Sequence, residues 1–192
     1  ILSPTDELAH MAHHSNSMSS VRFLEPIECH SYNINLQNQQ EKKFDLDSVN
    51  GDVAFIYAVV STVNTSNTPQ KTVNIGDDGT VVVLSSSGKS FFGNGQAVPY
   101  AYLNSEVFNS HFSTDFNKHH KGILIPFCPS VSAAHHGQKD NYLLLRGERT
   151  YVSLKVNNPL FVDGLYNVKI YCYIHRTLAS QNGKFSVADD HS

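Results

Sequence analysis

From Leu165 to His175 the chain alternates, with Tyr166, Val168, Ile170, Cys172 and Ile174 on one side and Asn167, Lys169, Tyr171, Tyr173 and His175 on the other. A period of two held over five repeats excludes a helix, whose buried positions recur at three and four, and predicts a long strand with one face in a core. The pattern returns where Tyr32, Ile34 and Leu36 alternate with Ser31, Asn33 and Asn35, and where Val152, Leu154 and Val156 point one way. Val53 to Val60 is apolar without interruption, which predicts a strand covered on both faces. Gly122 to Cys128 reads as an apolar strand whose Pro126 demands an edge, an end or a bulge, because proline donates no ladder hydrogen bond. Tyr142–Leu145 adds a short strand.

Turn chemistry separates these runs. Asn38–Glu41, Val49-Asn50-Gly51-Asp52, Ser87-Gly88-Lys89, Gly93-Asn94-Gly95 and Arg146-Gly147-Glu148 read as turns or bulges, and Asn157-Asn158-Pro159 stops a strand. Asp78-Gly79 before Thr80–Leu84 carries the signature of a tight hairpin from Val73 and Ile75. Two stretches depart from the strand pattern. Ser3-Pro4-Thr5-Asp6 opens a short helix to about His14, and Ser15–Ser20 links it to the body, so an arm over 1–20 precedes a domain over 21–192. Between Pro99 and Phe116, Leu103 with Val107, and Phe108 with Phe112 and Phe116, have the spacing of a second short helix.

A chain of 192 residues fits one domain and buries roughly two thirds of its unfolded surface. Only 16% of residues are charged and the net charge is -3, so no basic field exists to hold nucleic acid, and sequence-specific binding to it is not expected. Cys29, Cys128 and Cys172 are widely spaced and odd in number, which suggests neither a disulfide framework nor a zinc site; Cys172 reads as a small core residue. No apolar run approaches the roughly 18 residues of a membrane-crossing helix. Ile1 in place of Met fits a processed end, a segment of something longer or a missing start alike.

Chemistry-bearing motifs are scarce. Eleven histidines include the clusters His10/His13/His14, His119-His120 and His135-His136. Adjacent side chains on a strand point apart and do not share an ion, so solvated loop histidines outweigh a metal site, although they charge between about pH 5 and 8 and would make contacts pH-sensitive. There is no H-x-H, G-x-S-x-G, H-E-x-x-H, phosphate loop or dinucleotide glycine motif, so no catalytic, metal or cofactor-binding residue is assigned and no cofactor is expected. The candidate site is instead a contact surface: Lys169, Tyr171, Tyr173 and His175 on the outer side of the long strand, with Leu8 and Met11 on the arm helix.

About eight or nine short strands without strand-helix-strand alternation predict a two-sheet sandwich, and the absence of Trp counts against an immunoglobulin core. Phe44–Gly51 leading into the apolar strand, Asp78–Lys89, Gly122–Phe127, and Tyr151–Val156 followed by Tyr166–Arg176 together resemble the jelly-roll capsid proteins of icosahedral viruses. The likeness is greatest to the double-jelly-roll lineage of adenovirus and tailless membrane-containing phages, and Ile125-Pro126-Phe127 is similar to picornavirus-like coat proteins. It spans Val21 to Val187 and rests on layout, not on a diagnostic motif.

The resemblance implies an all-β single jelly-roll sandwich of two antiparallel sheets with a short N-terminal helical arm. It implies a non-enzymatic capsid protein in the virion, whose partners are copies of itself, other capsid proteins and a membrane or genome beneath the shell. One departure stands out: a double-jelly-roll protein needs two such sandwiches and this chain holds one, which suggests a vertex (penton) or single-jelly-roll subunit. The competing classes are a lectin-like or receptor-binding sandwich, such as a viral spike or fibre domain, and a trimeric ligand resembling tumour necrosis factor.

Overall fold

The structure is a computed structural model that describes residues 19–46, 49–64, 69–85, 87–92, 96–103, 122–128, 143–145, 149–181 and 184–189. Its strands are β1 (Ser19–Leu36), β2 (Glu41–Asp45), β3 (Gly51–Thr62), β4 (Thr80–Ser85), β5 (Ser90–Phe92), β6 (Val98–Pro99), β7 (Ile123–Pro126), β8 (Leu143–Leu145), β9 (Thr150–Lys155), β10 (Gly164–Gln181) and β11 (Lys184–Asp189). A single helical turn, α1 (Tyr100–Tyr102), follows β6.

These strands form two antiparallel sheets. The long sheet runs β1-β10-β3-β7, with β8 also on β3 and β11 on β10; the short sheet runs β2-β9-β4-β5, with β6 also on β4. The pairing is nested: β1 with β10, β2 with β9, β3 with β7 and β4 with β5. Successive rungs of one long hairpin thus fall alternately in the two sheets, which is the wrapping of a jelly roll. The fold is therefore the all-β jelly-roll sandwich that the alternating pattern and the resemblance implied.

The sheets face one another through one core. Phe44, Val81, Val83, Val152 and Leu154 of the short sheet pack with Ile56, Val60, Val168, Ile170 and Cys172 of the long one. Burying each large apolar side chain contributes roughly 1.5–3 kcal/mol, which is why the inward positions set the register. Tyr166, Val168, Ile170, Cys172 and Ile174 are all buried, as the period of two requires. Edges are blunted by proline: Pro26 lies in β1, Pro99 in β6 and Pro126 closes β7, all strands at the margins of the described sheets.

Two bulges alter the expected parity. In β1 the pairing steps from Glu28 opposite Tyr171 to His30 opposite Ile170, leaving Cys29 as the extra residue. Ile27 and Cys29 pack on the core before it, and Ile34 and Leu36 after it. In β3 the register shifts between Phe55 opposite Tyr173 and Val53 opposite Ile174, so that Ala54 is extra and both Val53 and Ile56 turn inward.

Three expectations need correction. Asp78-Gly79 does not close a hairpin: after β3 the chain folds back only as far as the Ser61–Thr72 bridge, and β4 pairs with β9, β5 and β6. The turn instead carries the chain from the long sheet to the short one, with the Gly79 amide donating to the Gly76 carbonyl at 2.8 Å. His175, expected on the outer surface, is only 2% exposed. It lies opposite Leu24, which packs into the outer apolar cluster of Ala54, Phe55, Leu124 and Cys128. The helical spacing after Pro99 yields α1 alone among the described residues; Val107, Phe108, Phe112 and Phe116 lie outside them, as does the arm with Leu8 and Met11.

Candidate functional site

The outer face of the long sheet, turned away from the core, is built in rows by the ladder register. One row sets Pro26, Tyr173, Phe55 and Pro126 side by side across β1, β10, β3 and β7; the next sets Glu28, Tyr171, Tyr57 and Leu124. Further along come Ser31, Lys169 and Val59, and then Asn33, Asn167 and Ser61. The face therefore grades from aromatic at one end to amide and hydroxyl at the other, where the Asn167 amide donates to Asn33 Oδ1 at 3.1 Å.

The aromatic end has its own small core. Ala54, Phe55, Leu124 and Cys128 are buried there, and Leu24, Tyr57 and Tyr173 pack against them half-buried. Tyr173 stacks on Phe55 with ring centroids 4.2 Å apart and planes 20° from parallel. Burial pushes the Tyr57 phenol well above its usual range, with the neighbouring Tyr173 and Tyr100 adding to it. Tyr171 is raised by burial first and then by the hydrogen bond its phenol donates to the Glu28 carboxylate.

Of the residues expected to form a contact surface, Lys169, Tyr171 and Tyr173 do share this face half-buried, whereas buried His175 offers no exposed contact. Sequence reasoning missed other exposed apolar side chains. Leu160, Val162 and Leu165 cluster in sequence around the β9–β10 connection, and Phe185 and Val187 of β11 are 72% and 60% exposed. The signal was present in Phe185-Ser186-Val187, an alternation too short to separate from its polar surroundings.

A polar depression of about 280 Å³ lies where the β3–β4 and β9–β10 connections meet, lined by Asn74, Asp77, Asp78, Asn157 and Asn158. Its amides are largely spent on bracing the loops. Asn74 Oδ1 accepts from the Gly76 amide at 2.7 Å, and Asn158 donates through Nδ2 to the Asn74 carbonyl at 3.1 Å and accepts from the Leu160 amide at 3.0 Å. Among the described residues no three His, Cys, Asp or Glu side chains come together as a metal site would require.

Tyr100 is anchored by the same connections, its amide donating to the Gly79 carbonyl at 2.7 Å, and its side chain is 1% exposed. Its hydroxyl has no hydrogen-bond partner among the described residues. Burial, reinforced by the negative charge of Asp77, pushes the phenol up to about 12. Because the folded chain holds this proton more tightly than the unfolded chain, the associated stability is complete below about pH 10 and is lost as pH rises towards 12. Tyr100→Phe is expected to leave the urea midpoint unchanged or higher at neutral pH and to remove on the order of 2 kcal/mol of the alkaline loss. Equal alkaline slopes in variant and parent would refute this account of Tyr100.

The fold places the chain among the jelly-roll sandwiches, an architecture that hosts many unrelated functions. No protein-family model and no curated protein matches the sequence. Solved structures do. The chain is similar to PBCV-1 VP54, as fitted into a reconstruction of the virophage Sputnik, at 10% identity and a TM-score of 0.62, over 96% of this chain and 54% of that one. It is similar to a chain of the quasi-atomic model of the PBCV-1 virus capsid at 10% identity and a TM-score of 0.58, with the same coverage. The mavirus major capsid protein matches at 8% identity and a TM-score of 0.45, over 88% of this chain and 41% of that one. At such identities the likeness is one of fold, and the chain spans about half the length of the solved chains it matches.

Proposed function

We propose that this chain is a structural capsid protein of an icosahedral virus, a non-enzymatic component of the virion. The observation that carries the reading is the nested two-sheet wrapping shared over 96% of the chain with PBCV-1 VP54. The roll acts as a rigid wedge, and its work is burial of apolar and tyrosine-rich surface between copies, repeated by symmetry until individually weak contacts hold a shell. Lys169, Tyr171 and Tyr173 on the outer face of the long sheet form one such contact, and Leu8 and Met11 of the arm another. Partners are further copies, other capsid proteins and a membrane or genome beneath. With a net charge of -3, any genome contact is not a general electrostatic one.

On its own the roll fits a vertex or single-jelly-roll subunit. The coverage of only 54% of the matched chain favours a second reading, in which this roll is one of two in a longer capsid chain. Electron microscopy of the purified protein, with the mass of its native form, tests both. Rings of five or shells built from single rolls support the vertex reading, and trimers of a chain twice this length support the second. A monodisperse small oligomer that binds glycans and builds nothing larger overturns both.

A further inference from the structure

Cys29 and Cys172 are far apart in sequence but meet across the outermost rung of the roll. Cys29 is the extra residue of the β1 bulge, and Cys172 lies on the adjoining strand, opposite Ile27. Both are free thiols, Cys29 half-buried and Cys172 fully buried in the core. The Cys29 thiol donates to the Ile27 carbonyl at 3.4 Å, and its sulfur is within hydrogen-bonding reach of the Cys172 thiol and amide.

We propose that Cys29 and Cys172 are a redox pair that closes to a disulfide joining β1 to β10. The oxidant is a small-molecule disulfide such as oxidised glutathione. The Cys29 thiolate attacks one of its sulfurs, forming a mixed disulfide and expelling one thiolate. The Cys172 sulfur, giving up its proton, then attacks the Cys29 sulfur and expels the second. Two cysteines are oxidised, one small disulfide is reduced to two thiols, and the two cysteine protons end on those thiols.

The division of roles follows from the site. Cys29 is the less buried of the two, and the bonds it accepts from Cys172 hold its thiol below the usual range, against the opposing effects of burial and of Glu28. Cys172 is raised chiefly because it donates its proton to Cys29, and then by burial. Once Cys29 is in a mixed disulfide, the first of these causes is gone and Cys172 is freer to ionise. The bulge also helps. Its extra residue stands outside the regular ladder, so the sulfurs have slack to approach without displacing a strand. Cys128 is a built-in control, because it lies in the cluster of Ala54, Phe55 and Leu124 on the other face of the sheet.

The test is internal to one chain and does not depend on any role in a shell. Folded protein is incubated with oxidised glutathione at about pH 8, near the ordinary thiol range, then unfolded in guanidinium with iodoacetamide to block the remaining free thiols, and peptides are mapped by mass. The expected result is a Cys29–Cys172 cross-linked peptide about 2 Da lighter than its two thiol parts, with Cys128 alkylated. Because the closed loop spans most of the chain, Tm should rise by about 10 °C and fall back with dithiothreitol. Cys128→Ala should retain the cross-link and the rise, and Cys29→Ser should fold but lose both. A lasting glutathione adduct on Cys29 with Cys172 alkylated, an unmodified Cys29, or cross-links to Cys128 in equal yield would overturn the proposal.

Discussion

Gly76→Ala is expected to destabilise the fold by about 4 kcal/mol, at the upper end of what single substitutions do. Gly76 has φ +89°, a region that side chains disfavour, and a Cβ there would lie 2.0 Å from the Asn157 carbonyl oxygen and 2.8 Å from Asn158 Cβ. The Asn157 oxygen is backbone and cannot swing aside. Asn157 donates its amide to the Ile75 carbonyl at 2.9 Å, and Asn158 is tied to Asn38 Oδ1 at 3.1 Å and to the Asn74 carbonyl at 3.1 Å. Relieving the clash therefore displaces both the β3–β4 and the β9–β10 connections. Gly88→Ala separates this clash from backbone strain alone. Gly88 has φ +84° but no atom of the described residues within 4 Å of its Cβ position, so only about 1 kcal/mol should be lost. Urea midpoints measure both, and equal losses at the two sites would show that the packing of the connections does not matter.

Much of this architecture was legible because strand burial writes itself into the sequence at period two. Val152, Leu154 and Val156 are buried as read, and so are Tyr166, Val168, Ile170, Cys172 and Ile174, while the continuous apolarity of Val53–Val60 reflects a strand that packs on the core on one side and whose Ala54 and Phe55 pack with Leu124, Cys128 and Tyr173 on the other. Bulges are not written there. An extra residue at Cys29 or Ala54 shifts the inward parity of β1 or β3 with no change in composition, whereas His175 keeps its place in the outer row opposite Leu24 and is buried there. Pairing order was equally hidden. Asp78-Gly79 is a local signal, and it lost to the long-range ladder of β4 on β9, which forms because Val81 and Val83 then lie beside Leu154 and Val152 in the core. The Cys29–Cys172 approach is of the same kind, since no spacing rule marks two residues joined by the closing rung of the roll. Lys169, Tyr171 and Tyr173 were found together because one strand carries all three.

Tyr171→Lys is expected to weaken the proposed assembly at least about 30-fold while leaving the folded chain intact. Tyr171 is half-buried in the middle of the outer face, opposite Glu28 on β1 and Tyr57 on β3. A lysine there faces the Glu28 carboxylate across the strand pair, an arrangement favourable by a few tenths of a kcal/mol, so the isolated subunit should unfold within about 1 kcal/mol of the parent. Tyr173 is a poorer probe, because its stack on Phe55 holds the outer cluster together and a charge there would disturb the sheet itself. Between copies the balance reverses. Tyrosine is favoured at the centre of contacts and lysine is depleted there, so burying an ammonium in place of the ring costs roughly 2 kcal/mol or more per contact. That is about a 30-fold loss in each association constant, repeated at every copy by symmetry, and the concentration needed to form particles should rise at least as much. Light scattering and electron microscopy at matched concentrations read the effect. Particles of normal size and yield from Tyr171→Lys would remove the outer face of the long sheet from the proposed contacts and turn the proposal to exposed Leu160, Val162, Phe185 and Val187.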